Sequence, residues 1–147
     1  MERILVCTDG EEHTVKAEKQ AVELAERFGA TVTGLYVQST FLTKFTHEIY
    51  AVNRNECRRH LDDALRTEGL AALEALGGRC SERGVPYESK IREGDIAEEI
   101  VQEASEGAYD LLVMGAKLLD TWRDRLESFN VPQAVFRQAP LPMLFVR

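Results

Sequence analysis

The chain of 147 residues is poor in cysteine and proline and contains no long apolar segment. Its three cysteines, Cys7, Cys57 and Cys80, are odd in number and widely spaced, which favours reduced thiols over a disulfide framework. No apolar run approaches the roughly 20 residues that a membrane-spanning helix needs. No signal peptide is recognised, because Met1-Glu2-Arg3 leads directly into a short apolar run. We therefore expect a cytoplasmic protein without a membrane partner.

Positive charge is also scarce, since 18 lysines and arginines face 25 aspartates and glutamates, for a formal net charge of -7. Such a surface gains no general attraction to nucleic acid or anionic lipid, so nucleic-acid binding is not expected. The hydrophobic fraction of 44% can supply a core, and no linker-like segment divides the chain. These features predict a single domain over residues 1–147.

Strand-like and helix-like segments alternate along the sequence. The predicted strands are residues 4–7, 31–37, 85–91, 110–114 and 143–146. The predicted helices are residues 12–28, residues 56–83, a helix between Asp95 and Gly107, and a short helix after Asn130. This order predicts an α/β fold, an open five-stranded parallel sheet with helices on both faces. Pro86 beside the third strand indicates that this strand lies at an edge.

The signals for element boundaries vary in strength. Asp95 and Glu98 have capping-box spacing, and Gly29 suits the left-handed position that follows a helix. The weakest pattern is that of residues 38–55. Phe41, Phe45 and Ile49 recur there every four residues, which indicates a helical or lid-like segment.

Two strand ends carry residues suited to a ligand, since open α/β sheets bind ligands beyond the carboxyl ends of their strands. Asp9 and Gly10 follow the first strand, and Gly115 follows the fourth. The Asp9 carboxylate has two roles open to it: accepting hydrogen bonds from a ribose hydroxyl or an adenine amino group, or stabilising the turn before the first helix. Gly115 would let the backbone approach a ligand closely.

Five segments stand in a specific order and spacing. They are residues 4–10, 17–30, 94–100, 109–115 and 137–147. Together they make nearly the whole chain resemble a universal stress protein (UspA-like). The resemblance implies an adenine nucleotide alpha hydrolase-like fold with strand order 3-2-1-4-5, and a homodimer formed through the last strand. It also implies two possible functions, because one branch of the family binds ATP and the other lacks the ATP motif.

The loop after the fourth strand decides between the branches. The ATP-binding pattern of the family is Gly-x2-Gly-x9-Gly-Ser/Thr, and Gly115 matches its first glycine. Leu118 stands at the second glycine, and the final pair falls on Ser128-Phe129 or, in a loop one residue longer, on Phe129-Asn130. Residues 116–129 contain no glycine, although a phosphate cradle usually needs backbone conformations that only glycine adopts cheaply. The chain thus resembles the branch without the motif.

An amphipathic segment replaces that loop. Leu118, Trp122, Leu126 and Phe129 recur at helical spacing, and the charges between them cancel. Lys117 or Arg123 could hold a single anion, but a solvated surface role is favoured. Two uses remain for Trp122 and Phe129: filling the vacant nucleotide cleft, which we favour, or contributing to a partner surface.

Other chemistry finds little support. Cys57 and His60, with His47-Glu48 upstream, offer one short-spaced pair where a structural zinc site usually needs four ligands, so no metal is expected. No Gly-x-Ser-x-Gly elbow occurs, and no catalytic residues are expected. Cys7 could be a thiol nucleophile at the end of the first strand, although a buried and inert thiol is favoured there.

The sequence therefore predicts a non-enzymatic stress-response or interaction module without a cofactor, acting as a homodimer with protein partners that the sequence does not identify. The alternative is an adenine-nucleotide-binding protein for ATP or AMP, with or without weak ATP hydrolysis, that has an altered phosphate loop. In that case the ligand would contact Asp9, Val37 at the end of the second strand, and Gly115.

Overall fold

The computed structural model describes residues 1–40, 54–116 and 131–147, with the side chains of the second helix described from residue 59. In chain order the elements are β1 Arg3–Cys7, α1 Glu12–Phe28, β2 Thr31–Ser39, α2 Arg54–Glu82, β3 Tyr87–Gly94, α3 Ile96–Glu106, β4 Leu111–Gly115, α4 Val131–Gln138 and β5 Met143–Val146. Within these parts of the chain, no helix combines the length and hydrophobicity that crossing a bilayer requires.

The five strands form one parallel sheet in the order β3-β2-β1-β4-β5, as predicted. Val6 in β1 lies opposite Gly34 of β2 on one side and Val113 of β4 on the other. The chain moves outward in one direction from β1 to β3 and in the other from β4 to β5. The carboxyl ends of β1 and β4 therefore flank the point where strand order reverses, which is where such sheets bind ligands.

Each face of the sheet carries its own apolar core. On one face α1 and α2 cover Ile4, Val6 and Val32, and on the other α3 and α4 cover Leu5, Leu35 and Leu112. Successive side chains of a strand point to opposite faces, so a central strand packed on both sides needs an unbroken apolar run. This explains why residues 4–7 show no polar alternation.

The predicted helix ends are present. The Gly29 backbone is left-handed with a φ of 68°, and its N–H donates to the Ala25 carbonyl. The Asp95 side chain accepts a hydrogen bond of 3.0 Å from the Glu98 backbone N–H, which confirms it as the cap of α3. The helical spacing of the apolar residues of α1 predicts that Phe28 shares a face with Ala21 and Ala25, but 59% of Phe28 is exposed at the end of the helix.

Strand boundaries differ from the predictions by a few residues. β2 continues to Ser39 because β3 itself runs to Gly94 and pairs with it there. β3 begins at Tyr87 rather than at residue 85, since Pro86 contributes only its carbonyl, which accepts from Val32. α2 is continuous through its glycines. The predictions for residues 41–53 and 117–130 lie outside the described residues.

Candidate ligand site at the carboxyl ends of β1 and β4

Asp9 stabilises the turn that joins β1 to α1. Its Oδ1 accepts hydrogen bonds from the Glu11 backbone N–H at 2.8 Å and from the Thr14 hydroxyl at 2.9 Å. Glu11 occupies the cap position of α1 but makes no capping bond with its own side chain. Asp9 thus performs the turn-stabilising role that the sequence left open, while 46% of its side chain stays exposed.

Gly115 lies against the first turn of α1. A Cβ atom added there would lie 2.6 Å from the carbonyl oxygen of His13 and 3.0 Å from its imidazole Cδ2. Contacts that short are not tolerated, so the glycine is needed for the packing of α1 on the end of β4. The presence of Gly115 is therefore explained without a ligand.

The structure brings two of the three candidate residues together. His13 contacts Gly115, and its Nε2 atom lies 3.8 Å from Oδ2 of Asp9. Asp9 and Gly115 therefore lie in the same small region. Val37 lies at the same edge, because the register places Leu35 opposite Cys7, the last residue of β1. Its side chain packs on the core beneath α3 and α4.

Acidic groups surround this region. Glu11 Oε2 lies 3.3 Å from Nδ1 of His13, and together with Asp9 these side chains can bring three ligand atoms within 4.8 Å of one another. Sequence reasoning did not find this group, although an alternating Asp-x-Glu-x-His pattern after a strand could have indicated it. Two of its three members are exposed, and Asp9 is occupied in the turn. The arrangement suits a cation better than an anion.

The described cysteines are packed into the cores. Burial raises the pKa of the Cys7 thiol to about 12 and that of Cys80 to about 11. A thiol with so high a pKa is almost wholly protonated at neutral pH and is a poor nucleophile. This agrees with the favoured interpretation of Cys7. Of the suggested metal ligands, His60 is exposed on α2, and the side chains of His47, Glu48 and Cys57 lie outside the described residues.

Glu18 is a buried carboxylate that sequence reasoning missed. It accepts hydrogen bonds from the Thr8 hydroxyl and, at 2.7 Å, from Nη1 of Arg79 on α2. Burial raises the pKa of Glu18, and the bond from Thr8 and the charge of Arg79 oppose that rise without cancelling it. The signal was present, because Glu18 stands between Ala17 and the buried pair Ala21 and Val22 on the apolar face of α1.

The open, doubly wound parallel sheet with strand order β3-β2-β1-β4-β5 defines an α/β protein with an adenine nucleotide alpha hydrolase-like fold. The model of the universal stress protein family matches residues 1–147. The chain therefore belongs to the universal stress protein family.

Known relatives agree with this assignment. The universal stress protein MJ0531 of Methanocaldococcus jannaschii is 28% identical over 145 residues, which cover 99% of this chain and 81% of that protein. A universal stress family protein from Burkholderia pseudomallei has a TM-score of 0.77 and 27% identity, over 99% of this chain and 95% of the other. A universal stress protein crystallised in complex with cAMP has a TM-score of 0.73 and 22% identity, over 99% and 97% of the two chains.

Proposed function

We propose that this chain is a non-enzymatic universal stress protein that acts as a homodimeric stress-response or interaction module and does not bind ATP in the family manner. The observation that carries the proposal is the contact between Gly115 and His13. The one glycine retained from the ATP motif supports the packing of α1, so its presence is no sign of a phosphate cradle.

The charges at the site support the same conclusion. A triphosphate placed beside Gly115 would meet the carboxylates of Asp9 and Glu11, which lie within 3.8 Å of the two nitrogens of the His13 imidazole. Like charges brought close together repel, and the repulsion is screened only in part near a protein surface. The loop of residues 116–129 contains no glycine with which to form an alternative cradle.

The alternative is an adenine-nucleotide-binding protein, supported by the family structure solved with cAMP. Asp9, Val37 and Gly115 share the carboxyl edge of the sheet and would contact the nucleoside. In that arrangement Asp9 would keep Oδ1 in the turn and offer the exposed Oδ2 to the ligand.

Nucleotide extraction separates the two functions. Purified protein is denatured by heat, the supernatant is analysed by chromatography for adenine nucleotides, and fresh protein is titrated calorimetrically with ATP and AMP, each with and without MgCl2. We expect no stoichiometric nucleotide and no micromolar affinity. A family member with the intact glycine motif, treated in parallel, is the positive control. Copurified ATP or AMP, or micromolar affinity for either, would show the alternative to be correct.

The proposed dimer forms through β5, which lies at one edge of the sheet. The outer backbone groups of an edge strand can pair with a strand of a second copy. Phe145 of β5 contacts Phe136 of α4 with ring centroids 6.2 Å apart, and 64% of Phe136 is exposed. A partly uncovered aromatic pair beside an edge strand suits an interface between two copies.

A matched pair of charge substitutions tests that interface. We expect Phe136→Asp to shift the protein from dimer to monomer in light scattering, because a carboxylate would be desolvated between the copies. Phe28→Asp is the control, since Phe28 is similarly exposed at 59% but lies at the end of α1. A wild-type protein that is monomeric at high concentration, or an equal effect of both substitutions, would contradict the β5 interface.

A further inference from the structure

A cleft of about 540 Å³ opens between α1 and α2, on the sheet face opposite to α3 and α4. The turn after β1 forms one part of its wall, and residues 68–79 of α2 form another. Glu18 and Arg79, which are paired with each other, also line it. The cleft shares Asp9 with the carboxyl edge of the sheet but otherwise uses different residues.

The lining of the cleft is strongly acidic. Four carboxylates, those of Asp9, Glu11, Glu18 and Glu68, face a single guanidinium, that of Arg79. Arg79 is engaged by Glu18, so three carboxylates remain without a cation from this lining. Glu68 forms no hydrogen bond or ion pair with any side chain in the described parts of the protein. A ligand that fits this electrostatic environment is positively charged.

Tyr36 supplies a polar group at the same place. It lines the cleft, is only 7% exposed, and its hydroxyl has no hydrogen-bond partner among the described residues. Asp9 and Glu68 both act electrostatically on the phenol. A hydroxyl on the wall of an open cleft can accept a hydrogen bond from a ligand N–H, so a ligand that donates one there would gain a polar contact. The aromatic ring also attracts cations.

Close packing fixes the position of that phenol. The ring of Tyr36 rests on the backbone of Gly69 in α2, where an added Cβ atom would lie 2.3 Å from the ring. The adjoining wall consists of Ala71, Ala72 and Ala75, with Val15 on the α1 side. Methyl groups offer no hydrogen bonds and match a short methylene chain. The same ligand should therefore carry both a cationic group and an aliphatic body.

We infer that the cleft between α1 and α2 binds a small aliphatic ammonium compound, with its charged nitrogen between Glu68, Asp9 and the Tyr36 hydroxyl. The methylene chain lies along the alanine wall. Binding of this kind requires no ATP, and apart from Asp9 it uses none of the candidate nucleotide contacts. The nucleotide extraction described above can therefore succeed or fail independently of it.

Calorimetric titration at low ionic strength with 1,4-diaminobutane tests the inference on the intact protein. The neutral isostere 1,4-butanediol and MgCl2 are titrated separately. We expect saturable binding of the diamine, at least tenfold weaker binding of the diol, and weakening of the diamine affinity as salt is added. Absence of diamine binding at 10 mM, on the order of the weakest useful affinity, would overturn the inference. Equal binding of the diol would do the same.

Two substitutions locate the site. We expect Glu68→Gln to weaken diamine binding about tenfold and Tyr36→Phe to weaken it about threefold, because each removes one polar partner and keeps the shape. Glu74→Gln is the matched control, since Glu74 is exposed on α2 but does not line the cleft. The inference is wrong if Glu74→Gln weakens binding as much as Glu68→Gln. It is also wrong if MgCl2 displaces the diamine at equal concentration, which would assign the acidic group of Asp9, Glu11 and His13 to a metal ion.

Discussion

Among the residues that the structure describes, two glutamates are almost completely buried, one on each face of the sheet, and their pKa values move in opposite directions. Glu18 beneath α2 is 1% exposed and has a raised pKa, whereas Glu103 of α3 is 3% exposed and has a lowered one. The two residues have the same chemistry and nearly the same burial. Their partners therefore determine the difference.

Glu103 has more partners than Glu18. Lys90 at 2.6 Å, Arg92 at 2.9 Å and the Tyr109 hydroxyl at 2.7 Å all donate to its carboxylate. Burial alone would raise the pKa of Glu103, but these hydrogen bonds together outweigh it. Glu18 has one cationic partner, Arg79, and one hydroxyl partner, so its burial is only partly offset.

The comparison separates a structural carboxylate from one beside a cleft. Glu103 joins α3 to β3, because Lys90 and Arg92 both belong to that edge strand. Glu18 joins α1 to α2 at the wall of the proposed ammonium site. A buried carboxylate whose oxygens all have cationic or hydrogen-bonding partners stabilises the fold. A carboxylate with too few partners keeps a negative potential that can attract a positively charged ligand.

The largest expected effect on stability is that of Glu103→Gln. The change removes the charge that two basic side chains share, and we expect the free energy of unfolding at pH 7 to fall by about 2 kcal/mol. The estimate is below the range for fully buried pairs because 44% of the Lys90 side chain and 20% of the Arg92 side chain remain exposed. Urea unfolding monitored by circular dichroism measures the loss.

Acid should reduce the difference between wild type and this variant. A lowered pKa in the folded state means that the stabilisation is complete above the ordinary value of about 4.3 and is lost as the pH falls through the folded value. The stabilities of wild type and Glu103→Gln should therefore begin to converge as the pH falls below about 4.3 and should meet below the folded pKa of Glu103. A constant difference from pH 7 to pH 3 would show that Glu103 acts through packing rather than charge.

The sequence predicted the sheet well because its signals are local or belong to the family pattern. Apolar runs mark the strands, Asp95 caps α3 through a residue three positions away, and Pro86 marks β3 as an edge. Strand order came from the resemblance to universal stress proteins. Periodicity alone could not have supplied it, since pairing depends on contacts between distant segments.

The acidic cleft was not predicted because its parts are far apart in the chain. Glu18 and Arg79 are 61 residues apart, and nothing in either local pattern indicates their ion pair. From the sequence alone, Gly69 predicts only a local weakening of α2, because glycine is a poor helix former. In the structure the missing side chain of Gly69 leaves space for the ring of Tyr36. This contact joins a helix to a strand, so the local sequence pattern of neither element predicts it. Tyr36 belongs to a β-forming run, and its position on the wall of the cleft depends on tertiary packing.

The smallest expected effect is that of Glu18→Gln, and its sign is opposite. Because the folded pKa lies above the ordinary value of about 4.3, ionisation of Glu18 destabilises the folded state as the pH rises through that folded value. Glutamine cannot ionise, and Arg79, 29% exposed, stays partly hydrated without its partner. We expect the variant to match wild type near pH 4 and to exceed it by up to about 1 kcal/mol at pH 7. Urea unfolding between pH 4 and pH 8 measures this difference.

The contradicting outcome is a loss of stability at pH 7 in Glu18→Gln that equals the loss in Glu103→Gln. Arg79 would then stabilise the Glu18 carboxylate as well as the basic side chains stabilise Glu103, and the contrast between the two faces of the sheet would not hold.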